Sequence, residues 1–295
     1  DQDSNILFIS KECSTNGCAA TVDVSYPSIP LFLLYNPELI KGMMRPILQY
    51  AESEAWIFEF APHDVGKYPL LNGQVYAKDV KEQMPIEECG NLLIMMTAVC
   101  LTEKDASFAQ AHLNILRKWA SYLIQYGLDP GDQLCTDDFM GHLAHNCNLS
   151  LKAILGIGSF SILLDMLDRK DESTYFYKQA QSMACQWILN ASNDDGSFRL
   201  AFDQPRSFSM KYNAIWDVLF GLNLFPKEAL RSEFLSYRKH MNQYGLPLDN
   251  RSNITKSDWL VWCATLAETT EEFSDFIAPL WLAYHETTSR VPMSD

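Results

Sequence analysis

Residues 105–127, DASFAQAHLNILRKWASYLIQYG, show the pattern that decides the fold of this chain. Their apolar side chains recur at spacings of three and four, which is the period of an amphipathic α-helix. Asp105 stands at the start of the run, where a capping residue is expected, and the stop signal Gly127-Leu-Asp-Pro-Gly131 follows it. The stretch therefore predicts one long helix that buries its apolar face.

The same helical period continues through most of the chain. Asn36-Pro37 places a capping residue before a first-turn proline, as at the start of a helix. Only Gly196–Phe202 has a strand-like pattern, and the first thirty-odd residues, which include Pro27 and Pro30, look irregular or extended. Helices are predicted near 37–52, 87–102, 105–127, 148–168, 172–191, 208–222, 226–242, 256–267 and 269–287.

Helices of this length, joined by short turns and longer loops, favour an all-α fold of stacked helical hairpins. A closed (α/α)6 toroid fits better than a peptide-binding solenoid, because the sequence shows no repeat of about 34 or 40 residues. The predicted helices are fewer than such a toroid needs, so either some helices escape the pattern or the sequence is a fragment that lacks terminal helices. We predict a single toroid domain over 1–295.

The composition restricts the classes of partner. The 295 residues are 47% hydrophobic, which is enough for a large core, and their formal net charge is −14 with a pI near 4.8. An acidic protein repels polyanions, so nucleic acid and anionic membrane surfaces are not expected partners. No apolar run looks long enough to cross a bilayer. A secreted, periplasmic or cell-surface location is expected, although the sequence shows no signal peptide.

The eight cysteines do not form a recognisable metal or redox motif. Without a C-x-x-C pair, a zinc ribbon or a thioredoxin motif is disfavoured. Cys13 and Cys18 flank a turn that could close a small disulfide loop. The other six lie mostly in apolar helical patterns, where buried thiols that act as small hydrophobic side chains are the commoner outcome.

The densest polar segment is QLCTDDFMGHLAHNCNLS at 133–150. Polar groups among apolar neighbours must be hydrogen-bonded or paired, so the segment is either a structural network or a working site. Asp137 and Asp138 are adjacent and cannot both face one substrate atom. One is expected to act as a base, and the other to cap His145 or the next helix. Asp138, His142 and His145 on one helical face would suggest a metal, but without a clear third ligand this is a weak zinc signal, and no metal is predicted.

Three further loops combine carboxylates, amides and aromatic side chains beside predicted helix starts. In a hairpin toroid the N-termini of the inner helices converge on one cavity, and their unpaired N–H groups favour anions. A pair of acids is therefore more plausibly drawn from different loops, such as Glu87 or Glu88, Asp138 and Asp258. The candidate substrate-binding residues are His63, Asp64, Asn72, Gln74, Asn91, His142, His145, Trp216, Asp217, Lys256 and Trp259.

Several motifs, in order along the chain, resemble the glutaminase A-like family found in fungi and gut bacteria. The resemblance covers essentially the whole chain with family-like spacing. It implies an all-helical, toroid-like domain that follows β-rich domains in a longer exported protein, and hydrolysis of L-glutamine to glutamate and ammonia. The motifs are TVDVSYPSIPLFLLYNPELIKGMM (21–44), HDVGKYPLLNGQ (63–74), EQMPIEECGN (82–91), QLCTDDFMGHLAHNCNLSLKAILGI (133–157), KYNAIWD (211–217), YGLPLDNR (244–251), TKSDW (255–259) and TTSRVPMSD (287–295).

The leading hypothesis is an exported glutaminase-type amidohydrolase that uses carboxylate-activated water. Asp138 is expected to be the base and Glu88 or Asp258 the proton donor, and Asp137 and Glu87 complete the catalytic candidates. Because a fold does not fix a reaction, two alternatives stay open: a glycoside hydrolase with paired carboxylates, or a non-catalytic glycan- or peptide-binding module. The expected partners are a small-molecule or glycan substrate and the preceding β-rich domains, with no cofactor.

Overall fold

The computed structural model describes residues 5–12, 16–75 and 79–288. Within these ranges the chain forms eleven α-helices, three short 3-10 helices and isolated β-bridges, and no strand. The predicted all-α class is therefore confirmed. The helices are α1 (Val22–Tyr35), α2 (Pro37–Ala51), α3 (Pro85–Glu103), α4 (Ser107–Ala111), α5 (Leu113–Tyr126), α6 (Cys147–Met166), α7 (Lys170–Ala191), α8 (Ile215–Leu219), α9 (Lys227–Tyr237), α10 (Ser257–Ala264) and α11 (Thr270–Glu286).

The chain divides into two compact units. The first unit comprises Asp1–His145 and Lys152–Met183, and the second comprises Asn146–Leu151 and Ala184–Asp295. The chain passes to the second unit after His145, returns to the first unit within α6, and enters the second unit again within α7. Each unit therefore contains parts of the chain that are distant in sequence, and each can be considered on its own contacts.

α3 is the central helix of the first unit. Every residue from Pro85 to Cys100 is buried, and α3 packs against α1, α2 and α5. A helix that is buried all round is usually apolar all round. Glu87, Glu88 and Asn91 break this rule within the first two turns of α3. Buried polar groups of this kind need partners, and their partners define the site described below.

α1 shows that the predicted irregular or extended start of the chain is wrong from Val22 onward. The helix contains Pro27 and Pro30 in its interior. Proline removes a helical hydrogen bond and clashes with the preceding turn, so the local sequence alone disfavours a helix here. Tyr26 and Ile29 are fully buried, and α1 packs on α2 and α3. Tertiary packing of the apolar face therefore outweighs the local preference.

α4 and α5 replace the single helix predicted over 105–127. His112 separates them, with a backbone at φ −112° and ψ 16° that is not helical. Asp105 lies one residue before the N-cap of α4, Ala106, and its carboxylate accepts a hydrogen bond from the Ser107 N–H at 2.8 Å. The apolar period runs on across His112, so the sequence pattern contains no sign of the break.

The second unit has shorter helices than the sequence predicts. The helix expected over 208–222 is reduced to the 3-10 turn Tyr212–Ala214 and α8. The strand predicted at Gly196–Phe202 is absent, since this described segment makes only isolated bridges. Phe198 is buried against Trp187, with ring centroids 4.7 Å apart. Core burial, and not strand pairing, explains the alternating apolar pattern of this segment.

α6 corrects the expectation that no apolar run is long enough to cross a bilayer. An 18-residue window within this 20-residue helix has a mean hydropathy of 1.6. However, 94% of the window is buried within the chain, as in the central helix of a packed core. Asn146 caps its N-terminus, because Asn146 Oδ1 accepts hydrogen bonds from the N–H groups of Asn148 at 3.0 Å and Leu149 at 3.1 Å. The expectation that Asp137 or Asp138 performs this capping is therefore wrong.

The cysteines in the described part of the chain are free thiols. Cys13, the expected disulfide partner of Cys18, lies outside the described residues. Burial raises the pKa of Cys18 to about 12, so this thiol stays protonated and unreactive. Cys185 is exposed, whereas the other described cysteines are buried, as the sequence pattern predicts for most of them.

Candidate functional site

A buried polar group in the first unit brings together side chains from α1, a loop and α3. Asp23 lies in the first turn of α1, His63 in the loop at 61–67, and Glu88 in the first turn of α3. The backbone holds α1 to this loop, because the Val22 N–H donates to the His63 carbonyl at 2.9 Å. One potential ligand atom of each of the three residues lies within 4.8 Å of the other two. We call Asp23, His63 and Glu88 the acid–histidine cluster.

His63 is fixed by neighbours on its own loop. Its Nδ1 lies 2.8 Å from Oδ2 of Asp64, a carboxylate that is fully buried. The second oxygen of Asp64 accepts a hydrogen bond from the Gly66 N–H at 2.6 Å, which orients the carboxylate. A carboxylate at Nδ1 holds a proton there, and this sets the ring so that Nε2 faces Asp23. Nε2 of His63 lies 3.4 Å from Asp23 Oδ1.

Gln74 supports the same histidine from the next part of the loop. Its Oε1 accepts a hydrogen bond from the His63 backbone N–H at 2.7 Å, and its Nε2 donates to Gln83 Oε1 at 2.5 Å. Gln74 was predicted to bind substrate, but it is only 5% exposed, and its described contacts are those of a positioning residue. Asn72, two residues earlier, is exposed and does not share these contacts.

Glu88 belongs to a polar network on α3 that reaches α6. The Asn91 side-chain amide donates to Glu87 Oε1 and to Glu88 Oε2, each at 3.0 Å. Glu87 also forms a fully buried ion pair with Lys152 of α6. The Lys152 ammonium lies 4.4 Å from the centroid of the Tyr26 ring, within cation–π range. Glu87 is therefore neutralised by a fixed partner, whereas Glu88 is held by only one of its two oxygens.

Two oxygens of the cluster have no hydrogen-bond donor among the described residues. They are Asp23 Oδ1 and Glu88 Oε1, on side chains that are 7% and 0% exposed. The 3.4 Å contact of Asp23 Oδ1 with His63 Nε2 is an ion-pair distance that lacks the alignment of a hydrogen bond. A buried acceptor without a donor is unfavourable. An added proton donor or cation at this place would stabilise the folded chain.

Burial and mutual charge shift the pKa values of the cluster in opposite directions. Burial, and then the negative charge of Asp23, raise the pKa of Glu88 well above its ordinary value. Burial also opposes ionisation of Asp23, but its interactions with His63, with the charge of Lys152 and with the backbone together outweigh burial and lower the pKa of Asp23. Burial likewise opposes a charged His63, yet the Asp23 carboxylate raises the pKa of His63 well above its usual range. Opposed shifts within one buried group are typical of functional sites.

Asp138 shares the electrostatic environment of the cluster although it comes from a distant part of the chain. It begins a 3-10 helix, Asp138–Met140, and is exposed, whereas the adjacent Asp137 is buried. Desolvation, and then the negative charge of Asp23, raise the pKa of Asp138, while the charge of His63 lowers it. The candidates Glu88 and Asp138 thus lie in one unit and both interact with Asp23 and His63.

Asp23 is the one residue of the cluster that sequence reasoning missed. It lies in a segment that the prolines made look irregular, so no helical face was assigned there. The available signal was a single carboxylate between Val22 and Val24, in a run with Tyr26 and Ile29 at helical spacing. A lone acidic residue on an otherwise buried face must have a partner, and this would have pointed to the first turn of α1.

His142 and His145 do not form a metal site with Asp138. Both follow the 3-10 helix in irregular chain, so the three side chains share no helical face. His145 Nδ1 lies 2.7 Å from Asp129, and His142 Nδ1 lies 3.7 Å from Asp132. Each histidine is paired with a carboxylate of its own, which is the structural alternative that the sequence favoured over a metal.

The two tryptophans predicted to bind substrate pack in the core of the second unit. Trp259 stacks on Tyr212, with ring centroids 4.0 Å apart and planes inclined by 7°. Trp216 contacts Trp262 edge-on at 5.6 Å. Both predicted residues are 1% exposed. Their aromatic faces are occupied by neighbouring rings, which fits a structural role in this unit.

The polar candidates of the second unit lie near the starts or ends of short helices. The Asp217 carboxylate accepts hydrogen bonds from the N–H groups of Leu224 at 2.9 Å and Phe225 at 3.3 Å, which closes the turn after α8. Lys256 precedes α10, and Asp258 lies in its first turn. Asp258 Oδ1 accepts a hydrogen bond from the N–H of the next residue at 2.8 Å.

Comparison with known proteins agrees with the family resemblance seen in the sequence motifs. The sequence model described as "Glutaminase A six helical-hairpin domain" matches residues 1–295. Glutaminase A of Aspergillus oryzae is 35% identical over 261 residues, which cover 87% of this chain and 38% of that protein. A protein of Arthroderma benhamiae named as a probable glutaminase is 26% identical over 378 aligned positions, which cover 99% of this chain and 43% of that protein. The chain thus spans about two fifths of the length of these curated relatives. It belongs to the glutaminase A six helical-hairpin domain family.

Proposed function

We propose that the protein containing this chain is a glutaminase that hydrolyses the side-chain amide of L-glutamine to L-glutamate and ammonia. Family membership supports the substrate, and the acid–histidine cluster supports the chemistry. The observation that carries the proposal is a pair of buried oxygens without a hydrogen-bond donor, Asp23 Oδ1 and Glu88 Oε1, beside a histidine that Asp64 orients. Amide hydrolysis needs proton-moving and charge-stabilising groups in one place, and this cluster offers both.

Asp138 is the proposed general base. It is exposed, so water can reach it, and it interacts electrostatically with Asp23 and His63. Asp138 takes a proton from a water molecule, whose oxygen forms a bond to the amide carbon of glutamine. The carbon–nitrogen bond then breaks, and Asp138 returns the proton to the leaving nitrogen, which departs as ammonia. One carboxyl group acts first as base and then as acid, and the step balances without any other reactant.

Glu88 is proposed to have a role other than that of the proton donor, which the sequence suggests for Glu88 or Asp258. Glu88 Oε2 accepts a hydrogen bond from Asn91, and one of the Glu88 oxygens lies within 4.8 Å of ligand atoms of Asp23 and His63. We propose that Glu88 acts together with Asp23 and His63 to hold and polarise the reacting groups. Asp258, the other suggested donor, belongs to the second unit and has no part in this scheme.

Export and domain context form part of the same proposal. The chain spans about two fifths of the length of its curated relatives, so we propose that it works beside β-rich domains of the full-length protein. We also propose that the protein acts outside the cytoplasm. Fractionation of the source cells, with antibodies against this chain, tests that location. Recovery only in the cytoplasmic fraction would contradict it.

Ammonia release from L-glutamine by the full-length protein tests the reaction. Asp138→Asn is expected to lower kcat/KM by about 10²–10⁴-fold, which is the usual contribution of a general base. Asp165→Asn removes an exposed carboxylate that pairs with Lys170 in the same unit, and this control is expected to keep the wild-type rate. An undiminished rate in Asp138→Asn would overturn the assignment of the base.

If the wild-type protein releases no ammonia from L-glutamine, the glutaminase proposal itself is overturned. The release of reducing sugar from glycans would then support the glycoside hydrolase alternative. If glycan or peptide binding occurs without either reaction, the chain is a binding module. The three outcomes are distinguished with one preparation of the full-length protein.

A further inference from the structure

We propose that the acid–histidine cluster binds one divalent transition-metal cation, with Asp23 Oδ1, His63 Nε2 and Glu88 Oε1 as its ligands. The proposal concerns the same site as the proposed glutaminase reaction and would explain how the cluster polarises the reacting groups. Geometry and burial alone support the binding of the metal ion. The metal site can therefore be confirmed or refuted independently of the reaction.

The spacing of the ligand atoms suits a single metal ion. One donor atom from each of the three side chains lies within 4.8 Å of the other two. His63 Nε2 and Asp23 Oδ1 are 3.4 Å apart. Two ligands that are each about 2.1 Å from a tetrahedral zinc ion lie about 3.4 Å from one another. The distance between these two ligand atoms thus already matches the distance expected in a metal site, and the Glu88 oxygen lies within 4.8 Å of both.

The unpartnered oxygens give a second and independent reason to expect a cation. Asp23 Oδ1 and Glu88 Oε1 are buried and receive no hydrogen bond among the described residues. Buried carboxylate oxygens normally have donors or bind metals, because leaving them bare is costly. Lys152 is the nearby fixed positive charge, and its ion pair is with Glu87. A cation between Asp23 and Glu88 could coordinate both oxygens.

The neighbours of the three ligands are arranged as around a metal site. Asp64 Oδ2 lies 2.8 Å from Nδ1 of His63, which is the carboxylate–histidine–metal arrangement that fixes the tautomer and leaves Nε2 to coordinate. Asn91 donates to Glu88 Oε2 and so orients Glu88 while leaving Oε1 to act as a monodentate ligand. Both ligand side chains are therefore positioned before any metal binds, and this lowers the cost of binding.

The donor set selects the kind of metal. Magnesium and calcium prefer shells made of oxygen alone, whereas an imidazole nitrogen suits zinc, iron, copper and nickel. One imidazole with two carboxylates combines a nitrogen ligand that suits zinc with oxygen ligands that suit manganese, so these two divalent ions are the candidates. Three protein ligands leave at least one coordination position for water, as in catalytic zinc sites.

Metal content and affinity of the full-length protein test the proposal. After removal of adventitious metal with a chelator, titration with Zn²⁺ and separately with Mn²⁺ is followed by calorimetry, and bound metal is measured by mass spectrometry. One tightly bound equivalent per chain is expected for at least one of the two ions. Glu88→Gln and Asp23→Asn are expected to abolish it. Asp64→Asn, which keeps all three ligands, is expected to weaken it by about 10–100-fold.

His112→Gln is the matched control, because His112 also pairs with a carboxylate, Glu52 at 2.9 Å, but lies outside the cluster. It is expected to bind metal like the wild type. Circular dichroism shows whether each variant is folded, and Co²⁺ absorption spectra report nitrogen and oxygen coordination in the wild type and its loss in the variants. These spectra distinguish a lost ligand from a lost fold.

If the wild type binds a stoichiometric equivalent of neither Zn²⁺ nor Mn²⁺, the proposal is overturned. Binding that survives in both Asp23→Asn and Glu88→Gln would also overturn it. Bound metal without any ammonia release would leave the metal site standing and refute the glutaminase function. Undiminished ammonia release from metal-free protein would refute a catalytic use of the metal and leave the glutaminase function standing.

Discussion

Removal of the Lys152 ammonium is expected to be one of the most damaging single changes in the first unit. The side chains of Lys152 and Glu87 are 0% and 1% exposed and form a direct ion pair. Replacing Lys152 by Met keeps the length and the apolar stem of the side chain but leaves the Glu87 carboxylate buried without its cation. The substitution therefore isolates the charge from the packing.

The expected loss follows from the burial of the pair. Removing one partner of a buried ion pair costs about 3–5 kcal/mol, because the remaining charge is uncompensated. Asn91 still donates to Glu87 Oε1, so one hydrogen bond remains, and the lower end of this range is expected. Whole domains are stable by only about 5–15 kcal/mol, so Lys152→Met removes a large part of the total. The double variant Lys152→Met with Glu87→Gln is expected to recover most of the loss.

Urea denaturation followed by circular dichroism measures the free energy of unfolding of the wild type, the two single variants and the double variant. Lys170→Met is the matched control, because Lys170 pairs with Asp165 at 2.7 Å on an exposed surface, where ion pairs contribute little. A loss below about 1 kcal/mol in Lys152→Met would refute the reasoning. The reasoning would also be refuted if the losses of unfolding free energy in the two single variants added up to the loss in the double variant, since coupled partners deviate from additivity.

Three further predictions concern packing, pH and thiol reactivity. An added Cβ at Gly90 would lie 2.6 Å from Cγ of Lys152, so Gly90→Ala is expected to lower the free energy of unfolding by about 1–3 kcal/mol. Gly131→Ala is the control, because its Cβ would meet nothing within 4 Å, and it should leave the urea midpoint unchanged. Burial raises the pKa of Glu233 above its ordinary 4.5, so the folded chain keeps this proton to higher pH than the unfolded chain does. Stability should therefore fall as the pH rises from about 4.5 through the raised pKa, and Glu233→Gln should remove that part of the fall in a series of denaturation curves; a parallel dependence in both proteins would contradict this. Cys185 is the exposed thiol among the described cysteines and should be alkylated first in the native protein, as mapped by peptide mass spectrometry; earlier labelling of a buried described thiol would contradict the structure.

Much of the fold could be predicted from the sequence, because helical periodicity is a local and repeated signal. The predicted helices at 37–52, 148–168 and 269–287 differ from α2, α6 and α11 only at their ends. The errors have physical causes that a pattern does not contain. α1 forms in spite of two prolines because its buried face packs on α2 and α3. The apparent strand at 196–202 is an apolar pattern produced by core burial.

The candidate site was predictable only in part. The acidic and amide groups after a predicted helix start point to Glu87, Glu88 and Asn91. The densest polar segment of the sequence points to Asp138. Their proximity depends on how α1, α3 and the intervening loop pack, and no spacing in the sequence encodes that packing. Asp23 was missed for the same reason that α1 was missed. The motif at 287–295 lies largely outside the described residues, so its contribution stays a prediction.

The central claim is that the buried acid–histidine cluster performs hydrolysis and is more than a structural network. The most direct measurement is the rate of ammonia release from L-glutamine by the full-length Asp23→Asn variant, an isosteric change at a residue that contacts His63 at 3.4 Å. We expect kcat/KM to fall by about 10²–10³-fold, which is typical for loss of a charge-stabilising group, while the circular dichroism spectrum is unchanged. A folded Asp23→Asn protein that keeps the wild-type rate would contradict the claim.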